Sequence, residues 1–329
     1  MTKSFPYHND LISFFFLLSL LTCLGIKKRI MEAIKHILCP VDFSAVSEQS
    51  AAQAGLLAHQ FGCKLTLIHV VSVIPASYGA LYGIDFQSVD TMDLIRSATD
   101  ALEEVRAKYI PAGVECHVVA VTGNVSSEIV EEIKKTAVDL VLMATSGAHG
   151  VEEFLIGSNA AKIARSSPCA VITLRSPEKI SGFSKVLIPL DIVLGFGELL
   201  PYLQSFHKLQ NFSAEVLLIS EPGYKDPDPA ATKHFLDNEL KHLSDHGIDH
   251  VTWSEIQSDD LVESICRYAE DHAFGLILMK SEGRSSFAKF ILGSTTEGVI
   301  NHAKVPVLSL RVKPKKQKGR FSDSVAGNS

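Results

Sequence analysis

The stretch MATSGAHGVEEFLIGSNAAKIARSSPCAVITLR, residues 143–175, decides the fold because a second copy, MKSEGRSSFAKFILGSTTEGVINHAKVPVLSLR, follows at residues 279–311. Matched positions lie 136 residues apart, so Gly157 corresponds to Gly293 and Ser158 to Ser294. Each copy has a glycine, nine further residues, a Gly-Ser pair, a helical pattern and a short apolar strand. An internal repeat of this kind predicts two copies of one α/β domain, each with a loop that can approach a phosphate group.

The composition is that of a globular protein, with 329 residues of which 46% are hydrophobic. This length accommodates two or three domains, and the mild net charge of −6 argues against nucleic acid as the main partner. The cysteines form no CxxC pair and no Cys/His spacing typical of a metal site, so we predict no metal centre. We interpret them as small core residues of a protein in a reducing, cytoplasmic environment. They are Cys23, Cys39, Cys63, Cys116, Cys169 and Cys266.

The N-terminal extension, residues 1–30, contains an uncharged run of 16 residues from Leu11 to Ile26, followed by Lys27, Lys28 and Arg29. Three interpretations remain open. The extension is upstream sequence from a mis-assigned start codon, with translation starting at Met31, or an inner-membrane anchor, or a signal peptide. An anchor would hold the rest of the chain in the cytoplasm, because the basic cluster follows the apolar run. A signal peptide would carry its basic residues before that run.

Strand patterns alternate with helical patterns from Ile34 to Leu174, and the alternation begins again at Lys185. Such alternation predicts a parallel sheet covered by helices on both faces. We therefore expect an α/β fold with two tandem doubly wound, Rossmann-like domains, each with a five-stranded parallel sheet in the order 3-2-1-4-5. Between Leu190 and Val216 we interpret Gly195-Phe196-Gly197 as a loop and assign no helix. The expected organisation is domain 1 at 31–176, a linker at 177–183, a degenerate domain 2 at 184–312 and a disordered basic tail at 313–329.

The residues that could bind a ligand follow the first and fourth strands of domain 1. In a doubly wound sheet, ligands bind at the carboxyl ends of the strands where the strand order reverses. Asp42 ends the first strand and could hold a ribose or a base amino group, while Gly147 lets the backbone pass close to a ligand. Gly157, Ser158 and Asn159 offer backbone N–H groups, a hydroxyl and a helix N-terminus to an anion. Ser158 or Asn159 could equally be an ordinary helix cap, but the combination favours a nucleotide.

Several catalytic signatures are missing from the sequence. It contains no GxxxxGK[ST] loop, no GxSxG elbow and no SGGxDS segment after the first strand, where the residues are DFSAVSEQS. No pair of residues suggests nucleophilic or acid–base catalysis. We therefore leave enzymatic activity open and expect none beyond weak hydrolysis of a bound nucleotide.

Three segments together resemble the universal stress protein family. They are CPVDFS at 39–44, DLVLMA at 139–144, and the loop from Gly147 to Gly157-Ser158 with the helix and strand that follow it. The resemblance covers residues 31–175 well and 184–312 more loosely. It implies a five-stranded parallel sheet, and ATP binding as in some members of the family, with Mg²⁺ as its companion ion.

The resemblance also implies a role for each matched residue in domain 1. Pro40 and Asp42 would lie on the adenosine side, with Val70 at the end of the second strand. Met143 and Ala144 would lie beside the base and ribose. The phosphates would be held by Gly147, Gly157, Ser158 and Asn159. The degenerate counterpart in domain 2 would consist of Asp191, Gly283, Gly293 and Ser294.

Domain 2 departs from the family pattern at two positions. Lys280 stands where the family loop has its first glycine and where domain 1 has Ala144. Glu221 takes the place of Val70 and suits neither adenine packing nor phosphate. We therefore predict nucleotide binding by domain 1 and a structural or regulatory role for domain 2.

Two other functions remain as alternatives to a nucleotide-binding stress-response protein. One is a protein-interaction scaffold of the same fold, and the other is an enzyme of the wider adenine-nucleotide α-hydrolase-like fold. We further expect the apolar fifth strands, Ala170–Leu174 and Val307–Leu310, to pair within one chain, because uncovered strand edges invite pairing. A homodimer is an alternative partner arrangement, and a membrane is a partner only if residues 11–26 are an anchor.

Overall fold

The structure, a computed structural model, describes residues 34–72, 90–145, 157–175, 183–190, 197–282 and 292–312. The extension at 1–30, the tail at 313–329 and the site residues Gly147, Asp191 and Gly283 lie outside the described residues. So does nearly all of the linker. Gly293 and Ser294 are described only as part of a helix backbone.

The first half of the chain alternates strands and helices as the sequence predicts. Its elements are β1 (His36–Pro40), α1 (Ala45–Phe61), β2 (Lys64–Val71), α2 (Thr91–Tyr109), β3 (Cys116–Thr122), α3 (Val125–Lys135), β4 (Leu140–Ala144), α4 (Ser158–Ser166) and β5 (Ala170–Leu174).

The second half repeats this alternation. Its elements are β6 (Lys185–Leu190), α5 (Leu200–Leu209), β7 (Ser213–Ser220), α6 (Pro229–Ser244), β8 (Val251–Gln257), α7 (Leu261–Asp271), β9 (Leu276–Glu282), α8 (Leu292–His302) and β10 (Val307–Val312).

All ten strands belong to one sheet, in the order β3-β2-β1-β4-β5-β10-β9-β6-β7-β8. Each half therefore has the predicted order 3-2-1-4-5, and its internal pairs are parallel. The two halves meet at an antiparallel pair between β5 and β10, in which Thr173 lies opposite Val307 and Val171 opposite Ser309. The doubly wound α/β fold is confirmed, and the expected fifth-strand pairing is present.

The structure adds one helix, α5, between Leu190 and Val216, where the sequence analysis assigned none. Leu200, Leu203 and Phe206 recur at helical spacing and are buried. The helix has only 10 residues, and Leu199 at its N-cap makes no side-chain hydrogen bond. Pro201 in the first turn and the apolar spacing were the available signals. A short pattern without a polar cap is hard to distinguish from a loop.

Local sequence signals fix the helix ends elsewhere, as α1 shows. The hydroxyl of Ser44 accepts a hydrogen bond from the N–H of Ser47 at 3.2 Å, which caps the start of the helix. Gly62 ends the helix with φ of 63°, a left-handed conformation that glycine adopts without a steric penalty. These two residues account for where α1 begins and ends.

The hydrophobic core is continuous across the two halves. On one face of the sheet, the ring of Phe61 in α1 lies 5.7 Å from that of Phe206 in α5, and Phe206 lies 4.7 Å from Phe183. On the other face, Arg165 of α4 forms a 3.1 Å ion pair with Glu297 of α8. Within the described residues, no helix is both long enough and apolar enough to span a bilayer.

Candidate functional site

The centre of the first half is the point where the strand order reverses. Strands β1 and β4 are neighbours, with Ile37 opposite Leu140 and Leu38 opposite Val141. Helix α1 follows β1 and packs on one face of the sheet, while α4 follows β4 and packs on the other. The chain thus diverges to opposite faces at the carboxyl ends of β1 and β4, which leaves a crevice between them.

Asp42 lies in the turn between β1 and α1 and is exposed. Its Oδ1 accepts hydrogen bonds from the N–H of Ser44 at 3.0 Å and from the hydroxyl of Ser44 at 2.6 Å. The N–H of Asp42 donates to the hydroxyl oxygen of Ser47 at 3.2 Å. The carboxylate therefore organises the first turn of α1 and also places negative charge at the mouth of the crevice.

Phe43 and His69 are two residues beside Asp42 that the sequence analysis did not single out. Phe43 has φ of 63°, an uncommon conformation for a residue with a side chain. Its ring lies 4.5 Å from that of His69. The Nδ1 atom of His69 donates to the carbonyl oxygen of Val41 at 2.7 Å, which fixes the tautomer of the ring. In the sequence, the one indication that Phe43 belongs to the site is its position directly after Asp42.

Gly157 joins the start of α4 to the end of β4. Its N–H donates to the carbonyl oxygen of Thr145 at 2.7 Å, and the N–H of Thr145 donates to the carbonyl oxygen of Leu174 at 2.8 Å. A Cβ atom at Gly157 would lie 3.3 Å from the Thr145 carbonyl oxygen. The φ of Gly157 is −56°, so the glycine is needed for this close approach and not for its backbone conformation.

The N-cap position of α4 is held by a glycine, which has no side chain to cap the helix. Gly157 is its N-cap residue and makes no side-chain hydrogen bond, and Ser158 and Asn159 are the first two residues inside the helix. Neither is therefore in the capping position that the sequence analysis left open. Ser158 is exposed and Asn159 is half-buried. The first turn of a helix has backbone N–H groups without helical partners, and these attract anions.

The remaining described residues of the predicted site line the strand ends. Val70 and Met143 are buried in one cluster with Leu38 and Ile68, on the face covered by α3 and α4. Pro40 and Ala144 are half-buried at the ends of β1 and β4. The structure thus gathers eight of the nine predicted residues at the ends of β1, β2 and β4 and the start of α4. Gly147 lies outside the described residues.

The corresponding place in the second half holds an ion pair. Lys280 lies opposite Leu310 in the β9–β10 pair, just as Ala144 lies opposite Leu174 in the β4–β5 pair. The Nζ atom of Lys280 lies 2.7 Å from Oε2 of Glu198, in the turn before α5. Lys280 stands out in the sequence, whereas its partner Glu198 does not, because the two residues are 82 positions apart in the chain.

A second polar cluster lies at the opposite, amino ends of the strands in the second half. Oε1 of Glu215 accepts hydrogen bonds from the hydroxyls of Tyr268 at 2.5 Å and Ser254 at 2.7 Å. Partial burial would raise the pKa of Glu215, but these two donors hold the pKa below its usual value. The cluster ties β7, β8 and α7 together, far from the crevice end of the sheet.

In the described part of the chain, no group of three or more His, Cys, Asp or Glu side chains is arranged to hold a metal ion. The residues suited to a ligand at the crevice are instead backbone N–H groups, hydroxyls and one carboxylate. Such a set suits the polar groups of a nucleotide better than it suits a bare cation.

Comparison with known protein families adds independent information. The sequence model of the universal stress protein family matches residues 33–175 and 210–311. The two matched regions leave out residues 176–209, which contain β6, Glu198 and α5. The part of the second half that departs from the family is therefore the part that supplies the partner of Lys280.

Individual relatives match one half or both halves of the chain. Universal stress protein Slr1230 of Synechocystis is 24% identical over 304 residues, which covers 84% of this chain and 100% of that protein. Universal stress protein MJ0531 of Methanocaldococcus jannaschii is 31% identical over 145 residues, covering 44% of this chain and 84% of that protein. The crystal structure of a universal stress protein from Archaeoglobus fulgidus is similar in fold, with a TM-score of 0.65 and 21% identity over 84% of this chain and 98% of that one.

Proposed function

The chain belongs to the universal stress protein family, and on that premise we propose that its first half binds an adenine nucleotide, ATP, in the crevice between β1 and β4. The second half is a structural or regulatory partner. The protein acts in a stress response by binding the nucleotide, and it hydrolyses the nucleotide weakly at most.

The observation that carries this proposal is the glycine at the N-cap position of α4. The N–H of Gly157 holds the helix against the end of β4, and the residue has no side chain to compete for the N–H groups of the first turn. The absence of a Cβ atom at Gly157 would also let a phosphate group approach the backbone. Phosphate groups would accept hydrogen bonds from the N–H groups of the first turn and from the hydroxyl of Ser158. Mg²⁺ would arrive with those phosphates, as it does in many nucleotide sites.

The adenosine part of the ligand fits the other side of the crevice. Pro40 and Ala144 are half-buried at the ends of β1 and β4, and Val70 and Met143 add buried apolar side chains at the strand ends. The Oδ1 atom of Asp42 already serves the turn, and its carboxylate would also accept a hydrogen bond from a ribose hydroxyl. A mostly apolar pocket with a few polar groups is typical of small-molecule sites.

The direct test uses the intact chain, because the two halves share a core. Protein purified without added nucleotide is denatured, and the released small molecules are identified by mass spectrometry. Calorimetric titration with ATP then measures affinity and stoichiometry. We expect one ATP per chain. If no nucleotide is released and calorimetry detects no binding, the proposal is refuted and the interaction scaffold is favoured.

We further propose that the described part of the chain works in the cytoplasm. Its five described cysteines carry free thiols, and burial raises the pKa of Cys63, Cys169 and Cys266 to about 11. Such thiols are unreactive core residues that suit a reducing compartment. Cell fractionation of the full chain and of a chain beginning at Met31 tests this. Membrane sedimentation of the full chain alone would instead identify residues 1–30 as an anchor.

A further inference from the structure

The ion pair between Lys280 and Glu198 occupies the position in the second half that corresponds to the nucleotide crevice of the first. The register of the sheet establishes the equivalence, since Lys280 pairs with Leu310 as Ala144 pairs with Leu174. The first half thus has a small neutral side chain where the second half has a cation. Helix α5, with 10 residues, is also shorter than α1, with 17, and Glu198 precedes it.

The burial of the two partners is unequal. The side chain of Lys280 is 5% exposed, whereas that of Glu198 is 38% exposed. The ammonium group therefore lies on the core side of the pair and the carboxylate on the solvent side.

This pair differs from the other ion pairs of the second half. Lys304 and Glu270 lie 2.8 Å apart, a similar distance, but Lys304 is 74% exposed. Water screens such a surface pair, and it adds little stability. A buried ammonium, in contrast, loses its hydration and depends on a nearby negative charge. Among the ion pairs of the described residues, the Lys280 pair is the one that places a buried ammonium beside a carboxylate at the carboxyl end of a strand.

We propose that Lys280 is the centre of an anion site in the second half, which Glu198 fills in place of a phosphate group. The carboxylate is an internal substitute for the ligand, and a small molecule with a phosphate group competes with it. The site does not depend on nucleotide binding by the first half.

The test is a rescue experiment with inorganic phosphate on the full chain. Glu198→Ala removes the carboxylate and leaves space, and Glu198→Gln removes the charge but keeps most of the volume. We expect both variants to melt at a lower temperature than the unchanged protein. Sodium phosphate should raise the melting temperature of both, and more so for Glu198→Ala, compared with sodium chloride at equal ionic strength.

Two controls separate this effect from others. In the double variant Glu198→Ala, Lys280→Met, the buried cation is gone, so phosphate should give no more stabilisation than in the unchanged protein. Any phosphate bound at the first half or excluded from the surface contributes equally to all variants. Glu270→Gln, which removes the carboxylate of the surface pair, should show neither destabilisation nor rescue.

The results decide the proposal in either direction. Phosphate-specific stabilisation of either single variant, lost in the double variant, supports an anion site at Lys280. If phosphate stabilises the single and double variants equally, or stabilises none of them, the proposal is wrong and the pair is only a structural ion pair. Should Glu198→Ala fail to fold even with phosphate, Glu198→Gln and its double variant with Lys280→Met decide the question. The outcome is independent of whether the first half binds ATP.

Discussion

The hydroxyl oxygen of Tyr202, in the second half, accepts a hydrogen bond from the backbone N–H of Ala170, in the first half, at 3.3 Å. The same hydroxyl donates to the carbonyl oxygen of Asp139 at 3.4 Å. Tyr202 is buried, and burial raises the pKa of its phenol to about 12, so the donor remains protonated at neutral pH. Helix α5 is thus bonded to the amino ends of β4 and β5.

Tyr202→Phe should destabilise the whole chain. The change leaves the buried N–H of Ala170 without this acceptor, which costs about 1–3 kcal/mol of unfolding free energy. Urea denaturation followed by circular dichroism measures the difference. Tyr224→Phe is the matched control, because Tyr224 is 52% exposed, and it should change stability by less than about 0.5 kcal/mol. Equal stability of both variants would show that the Tyr202 bonds do not hold the halves together.

Gly157→Val should abolish ATP binding. A branched side chain would meet the carbonyl oxygen of Thr145 and would also fill the space beside the first turn of α4. Calorimetry of the full-length variant measures the loss, and circular dichroism checks that the fold persists. Gly293→Val, at the matched position of the second half, should leave ATP binding intact. Loss of ATP binding in Gly293→Val but not in Gly157→Val would place the nucleotide site in the second half.

Ser158→Ala should weaken ATP binding without abolishing it. Loss of one hydroxyl hydrogen bond costs about 1 kcal/mol, which is roughly a fivefold increase in Kd. Since Ser158 is exposed and does not cap α4, the melting temperature of the unliganded protein should stay unchanged. A loss of stability with unchanged Kd would assign the hydroxyl to the fold and not to the ligand.

His36 should make the stability of the chain fall in mild acid. Its Nδ1 atom donates to the carbonyl oxygen of Thr136 at 3.2 Å, and its Nε2 atom lies 2.9 Å from the hydroxyl of Thr66. Burial lowers the pKa of the imidazole below its usual value. The folded state therefore favours the neutral ring, and the unfolded state binds the proton more readily as the pH falls below about 6.5.

The variant His36→Asn isolates this contribution. It should be less stable than the unchanged protein at about pH 7.5, and the difference in unfolding free energy should narrow by up to about 1.4 kcal/mol for each pH unit below about 6.5. The narrowing stops once the pH is below the pKa of the folded state. Urea denaturation over this pH range gives the measurement. A constant difference would mean that His36 does not titrate between the two states.

Gly298→Ala should destabilise the contact between α8 and α7. A Cβ atom there would lie 2.6 Å from Cγ2 of Val262, which is too close for two carbon atoms. The overpacking costs about 1–3 kcal/mol and exceeds the gain of about 1 kcal/mol in helix propensity. Adding Val262→Ala should restore part of the lost stability. Gly197→Ala is the control, since no atom lies within 4 Å of its Cβ position. Equal melting temperatures would show that the helices move apart at no cost.

The sequence predicted those features that depend on local signals or on the repeat. Ser44 and Gly62 mark the ends of α1, and the alternating pattern predicted a parallel sheet in each half. It did not predict contacts between residues far apart in the chain. Glu198 reaches Lys280, and Tyr202 reaches Ala170, through the tertiary arrangement alone. The ring contact of Phe43 with His69 likewise depends on a left-handed backbone that no local rule assigns to phenylalanine.

The antiparallel pair of β5 and β10 holds together two similar halves that belong to one covalent chain. In a dimer of identical subunits, every substitution appears in both copies, and dilution separates them. Here the effective concentration of one half for the other does not depend on how much protein is present. A mutation also changes one half while its counterpart remains as it was. One half can therefore carry Lys280 while the other carries Ala144 at the matched position.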